Sequence, residues 1–372
     1  MSKPIVITGG GTGGHVFPML AIAEQLELLG ISPSRLRFVG SRRGQEVTLL
    51  AGGPIGLTLL PGRGIQRSFS WSSLVSNVVA VIGLVTAVVV AFFKVGRWRP
   101  SAVVSVGGYA SFATSLSAVI WRSPLILVEF DTSPGAAQRV LSRFAVRRCT
   151  AFDTDDPRAT TTGAPLREAI LAVDRSGESR RAMRDAQRPP IEQDRSVVVV
   201  MTGSLGSHRV NTATSELAGL WSTRDDRTLI HVTGRRDFSE VLARRPETSQ
   251  LDYRVVEFGD MTRLWALCDV AVCRSGAITV SELTALGIAS VLVPLPGAPD
   301  DHQTKNAQVI AAAGGARLIR DVDCDGETLA STLDDVMEPG RLLAMSGAAA
   351  SLGRRDAARD IAEIVRDVAG AS

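Results

Sequence analysis

Two short turns and a histidine hold the residues of this chain best suited to chemistry. An apolar strand, Pro4-Ile5-Val6-Ile7-Thr8, runs into Gly9-Gly10-Gly11-Thr12-Gly13-Gly14-His15, with Phe17-Pro18 in the first turn of the helix that follows. Five glycines in six positions leave the backbone free of Cβ atoms, so N–H groups can converge on an anion or a close-lying substrate, and His15 stands at the mouth of the loop. The second stretch is Cys273-Arg274-Ser275-Gly276-Ala277, in which a strand ends, Ser-Gly makes the turn and a helix starts near Ala277. Free N–H groups at that helix start would bind a diphosphate. Glu282, about one and a half turns in, would accept hydrogen bonds from the vicinal hydroxyls of a ribose. Asp300-Asp301-His302-Gln303 and Asn306-Ala307 follow the strand that ends at Pro294, and polar residues there line the same crevice.

Gly9, Gly11 and Gly14 also satisfy the G-x-G-x-x-G dinucleotide fingerprint. That site wants a carboxylate ending the second strand. Here the strand ends Phe38-Val39-Gly40-Ser41-Arg42-Arg43, with none. Arg42 and Arg43 could suit NADP, but the missing carboxylate and the helix at Ala277–Glu282 favour a nucleotide in the second half of the chain, with the glycine loop left for the other substrate. Asp153-Thr154-Asp155 has the D-x-D form of a metal-dependent sugar transferase but reads as a solvated loop, and no other cluster suggests a cation site, so no metal and no cofactor are expected.

Strand-like and helical runs alternate throughout to position these residues. Ile5–Thr8, Leu36–Val39, Ala102–Val106, Leu125–Val128, Ser196–Thr202, Thr228–Thr233, Tyr253–Phe258, Val270–Cys273 and Ala289–Val293 read as strands, with helical patterns such as Met19–Leu29 and Ala136–Phe144 between them. Short apolar strands separated by helices imply parallel sheets covered on both faces. The charged, apolar-poor stretch 174–194, with Pro189-Pro190 near its end, reads as a crossing segment between two halves. The expected division is an N-terminal domain over 1–165, a linker over 166–195 and a C-terminal domain over 196–350, with the last helix, 354–368, a candidate to pack back on the first. Each half opens on a strand followed by a glycine-rich turn, Gly9–Gly14 or Gly203-Ser204-Leu205-Gly206-Ser207. The expected fold is α/β, two Rossmann-like doubly wound parallel-sheet domains facing across a cleft.

At 372 residues, 45% of them hydrophobic and 21% charged, the chain suits a two-domain globular protein and excludes a disordered one. A net charge of +3 gives no support for nucleic-acid binding. Cys149, Cys268, Cys273 and Cys324 lack metal-ligand spacing and suit buried thiols of a reducing cytoplasm. The chain enters a strand at once, so no signal peptide is expected. From Leu74 to Phe93 no charge appears, and Arg63, Arg67, Lys94, Arg97 and Arg99 flank the run. Its length permits a transmembrane helix. A span would put the neighbouring strands on opposite sides of a bilayer, so a helix packed in an α/β layer with one face offered to a membrane surface is the expected form.

The motifs GGGTGGHVFP, Val106-Gly107-Gly108-Tyr109, Gly163-Ala164-Pro165-Leu166-Arg167, the Gly-Ser-x-Gly turn, RSGAITVSE and DHQ…NA occur in the order and spacing of the MurG family, and over roughly Lys3 to Ala316 the chain resembles these peptidoglycan GlcNAc transferases of the two-domain GT-B fold. The resemblance implies inverting transfer of GlcNAc from UDP-GlcNAc to the C4 hydroxyl of undecaprenyl-diphosphoryl-MurNAc-pentapeptide, a lipid I to lipid II step. It places the enzyme peripherally on the cytoplasmic side of the cell membrane, against an anionic surface, with other cell-wall synthesis proteins as partners. Carried over position by position, Thr12, Gly13 and Gly14 fall on the loop that approaches the donor sugar and the acceptor diphosphate. Tyr109 and Asp131 fall among substrate contacts, and Arg167 and Ser204 in the donor site. Phe258 falls where an apolar residue packs on uracil. Ala277, Ile278, Thr279, Val280, Ser281 and Glu282 match the diphosphate–ribose helix, and Gln303 a glutamine near the sugar hydroxyls. His15 and Glu129 match residues with acid–base or positioning roles. Both are expected on N-domain loops flanking the cleft, and either is a candidate base.

Three motifs depart from the family pattern. His-Glu-Gln-Asn becomes Val128-Glu129-Phe130-Asp131, the Gly-Ser-Gln-Gly turn becomes Gly203-Ser204-Leu205-Gly206, and the asparagine of Gly-Asn-Pro is Ala164. An amide both donates and accepts, whereas a carboxylate only accepts. Alternatives of another kind are a related transferase with a different acceptor or UDP-sugar, a UDP-GlcNAc epimerase, and a non-catalytic scaffold.

Overall fold

Among the described residues, thirteen strands form two sheets, and every strand pairing is parallel. The computed structural model describes residues 3–11, 13–42, 44, 46–61, 71–203 and 205–371, without the side chains of 71–80 and of Tyr109. The first sheet holds β1 (Ile5–Thr8), β2 (Leu36–Ser41), β3 (Gly56–Leu60), β4 (Ala102–Ser105), β5 (Leu125–Glu129), β6 (Arg147–Thr150) and β7 (Ala159–Thr161) in the order β3-β2-β1-β4-β5-β6-β7. The second holds β8 (Ser196–Met201), β9 (Arg227–Val232), β10 (Asp252–Val256), β11 (Val270–Cys273), β12 (Ala289–Leu292) and β13 (Ala316–Leu318) in the order β10-β9-β8-β11-β12-β13. In both, the first strand lies beside the second on one side and the fourth on the other. Strand order therefore reverses at β1/β4 and at β8/β11, the crevices where such sheets bind ligands.

Two compact units result, residues 1–167 with 355–372, and residues 168–354. The first unit carries α1 (Gly13–Leu28), α2 (Glu46–Leu49), α3 (Trp71–Trp98), α4 (Tyr109–Ile120) and α5 (Ala136–Leu141). The second carries α6 (Glu168–Leu171), α7 (Gly177–Asp185), α8 (His208–Leu220), α9 (Phe238–Ala243), α10 (Met261–Leu267), α11 (Ala277–Ala285), α12 (His302–Ala312), α13 (Gly326–Val336) and α14 (Pro339–Ser351). The last helix, α15 (Ala357–Gly370), belongs to the first unit and packs on α1 through a buried face that includes Ile361, Ala362 and Val365. Strands such as Ile5–Thr8 are buried along their whole length because helices cover both sheet faces, which is why they read as apolar runs and not as alternating ones.

Residues 174–194, expected as a linker, are an integral part of the second unit. Arg180 and Arg184 of α7 both pair with Asp269, which also accepts from the Val197 N–H at the start of β8. Charge in this stretch marks a docked helix, since ion pairs with one carboxylate replace the apolar face that a sequence pattern looks for.

The apolar run becomes α3. Ala87, Ala91 and Val95, spaced by four, are buried against the unit, while Val81, Ile82, Val85, Val89 and Phe93 are exposed. The window Val81–Trp98 is apolar and long enough to cross a membrane, yet β3 and β4, which it connects, lie in one sheet. It is a crossover helix with a bare outer stripe. Lys94, Arg97 and Arg99 stand exposed at its end.

Candidate functional site

At the β1/β4 crevice two loops interlock without side chains. Gly107 and Gly108 follow β4 at φ +93° and +87°, and a Cβ on Gly108 would lie 2.2 Å from the Gly10 carbonyl oxygen, so only glycine fits. His15 sits half-buried beside them. A Cβ on Gly107 would fall 3.2 Å from its Nε2, and the Phe130 ring lies 6.4 Å away between centroids. Burial pushes the proton affinity of His15 below the ordinary imidazole value, with Asp131 and Glu46 opposing that shift through their charge. A neutral imidazole at neutral pH can accept a proton.

The expected loop positions of the two candidate bases are both corrected. Gly13, Gly14 and His15 form the first turn of α1, and Glu129 is the last residue of β5. Glu129 is buried, with its Oε2 accepting from Arg148 Nη2 at 2.6 Å, and Arg148 also pairs with Asp156. The carboxylate is thus held by Arg148, with its Oε1 buried and unbonded among the described residues. It braces β5 against β6, directly ahead of Asp131, which is half-buried in the loop beyond the strand. Arg167, read from sequence as a donor-site group, belongs to the first unit, where its guanidinium stacks over the Phe17 ring at 4.2 Å.

At the β8/β11 crevice of the second unit, α11 begins at Ala277 with Gly276 as its N-cap and no side-chain cap, so its first N–H groups are not taken by a capping side chain. Ala277 and Val280 are buried, and Ile278, Thr279 and Ser281 half-buried, on the way to Glu282. Glu282 is buried, and the Trp265 indole Nε1–H donates to its Oε2 at 2.8 Å. Sequence reasoning missed Trp265, because an apolar helix Met261–Leu267 gives no sign that one ring nitrogen points at a carboxylate. Arg274 gathers the surrounding loops, donating to the Val293 and Pro294 carbonyls and to Ser207 Oγ and pairing with Asp321. Gln303 opens α12. Its Oε1 accepts from the Leu295 N–H, so the amide nitrogen is the end available to donate to a ligand. Phe258 is 48% exposed just beyond β10, an apolar platform beside Arg235.

The turn after β8 rests on a buried polar chain that the sequence did not suggest. Gly206 and Gly234, at φ +91° and +75°, meet so closely that a Cβ on Gly234 would lie 2.4 Å from the Gly206 nitrogen. Asp237 sits under Gly206 and accepts from Asn211 Nδ2 at 2.9 Å. Asn211 Oδ1 is 2.8 Å from His231 Nε2, and His231 Nδ1 is 2.9 Å from the Tyr253 hydroxyl. Since the asparagine amide nitrogen donates to Asp237, its oxygen accepts from a protonated Nε2, which fixes the neutral tautomer. Burial drives His231 down to about 3.

The substituted positions have clear settings. Leu205 is 72% exposed at the tip of the second glycine turn, and Ala164 is buried. Thr12 and Ser204 lie outside the described residues, and Tyr109 opens α4 with its side chain outside them. Asp153, Thr154 and Asp155 are exposed after β6, and among the described residues no group of three His, Cys, Asp or Glu is arranged to hold a metal ion. All four cysteines are free and buried, with burial raising the Cys149 and Cys268 thiols to about 12.

Known proteins share this arrangement along its length. Residues 5–150 match the glycosyltransferase family 28 N-terminal domain and residues 197–361 the glycosyltransferase family 28 C-terminal domain. The protein of Anaeromyxobacter dehalogenans (strain 2CP-C) named UDP-N-acetylglucosamine--N-acetylmuramyl-(pentapeptide) pyrophosphoryl-undecaprenol N-acetylglucosamine transferase is 34% identical, over 98% of this chain and 92% of its own. The protein of that name from Pseudomonas entomophila (strain L48) is also 34% identical, over 99% of this chain and 98% of its own. Acinetobacter baumannii MurG superposes with a TM-score of 0.76 at 25% identity, covering 98% of this chain and 99% of its own. The UDP-GlcNAc 2-epimerase of Neisseria meningitidis, at 13% identity and a TM-score of 0.66 over 99% of this chain and all of its own, shares the fold alone. With two Rossmann-like parallel-sheet units of the GT-B type and full-length identity to these transferases, the chain belongs to the MurG family of glycosyltransferases.

Proposed function

We propose that this chain transfers N-acetylglucosamine from UDP-GlcNAc to the C4 hydroxyl of undecaprenyl-diphosphoryl-MurNAc-pentapeptide, inverting the anomeric centre. The observation that carries the reading is α11, whose N-terminus has no side-chain cap and whose Glu282 is fixed by Trp265. Those N–H groups take the diphosphate, and the glutamate takes the ribose hydroxyls. Phe258 packs on the uracil ring. Gln303 and Ser204 contact the donor sugar and its phosphates, and Arg167 supplies positive charge to the donor. Thr12, Gly13, Gly14, Tyr109 and Asp131 contact the acceptor side.

The chemistry then divides between two groups of residues. His15, neutral at working pH because burial lowers its proton affinity, takes the proton of the acceptor hydroxyl. The oxygen attacks the anomeric carbon as the bond to the UDP oxygen breaks on the opposite face. Charge gathering on the departing diphosphate is met by the α11 N–H groups in place of a metal ion. Glu129 acts on the reaction only by holding the segment that carries Asp131. The bare stripe of α3, with Lys94 and Arg97, lays the first unit on the anionic cytoplasmic face of the membrane that carries the acceptor.

Incubation of the purified protein with radiolabelled UDP-GlcNAc and a short-chain lipid I analogue tests the reading. Label on the lipid supports it, and His15→Ala is expected to lower turnover by roughly 10²-fold. Release of a free epimer, or UDP binding with no turnover, would overturn it in favour of an epimerase or a scaffold.

A further inference from the structure

The glycine loop looks built to offer N–H groups to a ligand, yet one of them is already taken from inside. Glu46, the first residue of α2, has no exposed surface. Its Oε1 accepts from the Ser41 N–H at 2.8 Å and from the Gly11 N–H at 3.1 Å, joining the end of β2 to the loop after β1. Three glycines make room for this carboxylate. A Cβ on Gly10 would lie 1.7 Å from Oε1, one on Gly44 1.8 Å from Oε2, and one on Gly40 2.7 Å from Cγ. Part of the glycine content of both loops thus accommodates an internal anion and not a bound one.

Among the described residues, Oε2 of Glu46 is buried without a hydrogen-bond partner. A buried carboxylate oxygen left unbonded is costly, and an amide or apolar side chain would avoid that cost. The expense points to a use for the charge itself. Among the described residues, the charged groups acting on His15 are Asp131, from the loop after β5, and Glu46; the Phe130 ring and the Gly107 backbone lie near it from the segments that follow β5 and β4.

We propose that Glu46 is a positioning residue for His15: its carboxylate ties the glycine loop to β2 and sets a buried negative charge beside the turn that carries the imidazole. The proposal rests on His15 being the base. Burial alone would leave that imidazole a weak proton acceptor, and the carboxylate restores part of its basicity without touching the substrate. Asp131 works in the same direction from the exposed side, where bound substrate can alter its surroundings, whereas Glu46 is shut away from any ligand.

Histidine-selective ¹³C labelling tests this without substrate, because the chain has only four histidines and the His15 signal is identified by its absence in His15→Ala. Glu46→Gln keeps an oxygen to accept from Ser41 and Gly11 but removes the charge. Its His15 titration midpoint is expected to fall by about half a pH unit or more, with that of His302 unmoved. The acidic limb of the transfer rate should move down with it. Glu46→Ala removes both functions and is expected to lose about tenfold in turnover across the whole pH range and to speed exchange of the Gly11 amide. An unmoved His15 midpoint in Glu46→Gln would overturn the proposal, as would identical behaviour of the two variants. If the midpoint moves but no sugar is transferred by the wild type, the proposed function fails and the role of Glu46 stands. If Glu46→Ala does not fold, Glu46→Gln decides alone.

Discussion

Trp265→Phe separates the donor site from the core that carries it. The indole is fully buried, and its Nε1–H is bonded to Glu282 Oε2 at 2.8 Å. Phenylalanine keeps most of the packing and deletes the donor. A hydrogen bond to a charged group contributes about 1.5–3 kcal/mol. With roughly half of that holding the carboxylate ready for the ribose, about 0.75–1.5 kcal/mol, the donor KM rises about four- to twelvefold, since 1.4 kcal/mol is a factor of ten. Loss of the smaller ring and of the bond together costs about 2 kcal/mol of stability, a Tm lower by roughly 4–8 °C for a unit of this size. The acceptor KM should not change, and kcat at saturating donor should fall less than about threefold. Steady-state kinetics in both substrates, with UDP titration calorimetry, read all of these. Leu333→Ala, which empties a core position on α13 of the same unit, is the control for lost stability alone. A Trp265→Phe enzyme with the Tm loss but with the donor KM of that control would refute the reasoning, and Trp265 would be packing only.

Glu129→Gln is expected to lose about 3 kcal/mol of stability, the low end for a broken buried ion pair because Arg148 keeps Asp156, while the pH profile of the rate stays in place. A 10²-fold loss with the acidic limb gone would make Glu129 the base instead. Paired Val85→Asp and Phe93→Asp changes, at sites 58% and 69% exposed, should abolish sedimentation with anionic vesicles and leave turnover of a water-soluble acceptor within about twofold. Unchanged sedimentation would remove α3 from the membrane surface. His231 is held neutral down to about 3 in the folded state, against 6.5 when unfolded, so the unfolded chain binds the extra proton between those values. Stability from this group is therefore full above 6.5 and falls by about 2 kcal/mol on going to pH 5. Urea titrations should show that His231→Gln loses this slope between pH 7 and 5, and an equal slope in both proteins would contradict it.

The strands at both switch points were legible because burial on two faces leaves a run such as Val270–Cys273 with no polar interruption. β6 was not, because Arg147-Arg148 looks like surface until Arg148 is seen to be neutralised by Glu129 and Asp156, one of them nineteen residues away. β3, β7 and β13 were also passed over. They are short edge or near-edge strands that bury only part of their length, which weakens the apolar signal. Among site residues, His15, the α11 start and Glu282 were visible through local spacing. Glu46, Trp265 and Asn211 act across the fold, and spacing along the chain carries no trace of them.

The return of α15 to α1 means that the first unit is not one stretch of chain. During synthesis its sheet and α1 leave the ribosome first, yet the surface of α1 that meets Ile361 and Val365 stays uncovered until some 200 further residues, the whole second unit among them, have been made. The helix that bears His15 is thus among the first elements translated and among the last to be completed. An N-terminal fragment would carry the glycine loop and its histidine on a helix whose α15-facing side is still bare, so this unit is completed only after the second one has been made.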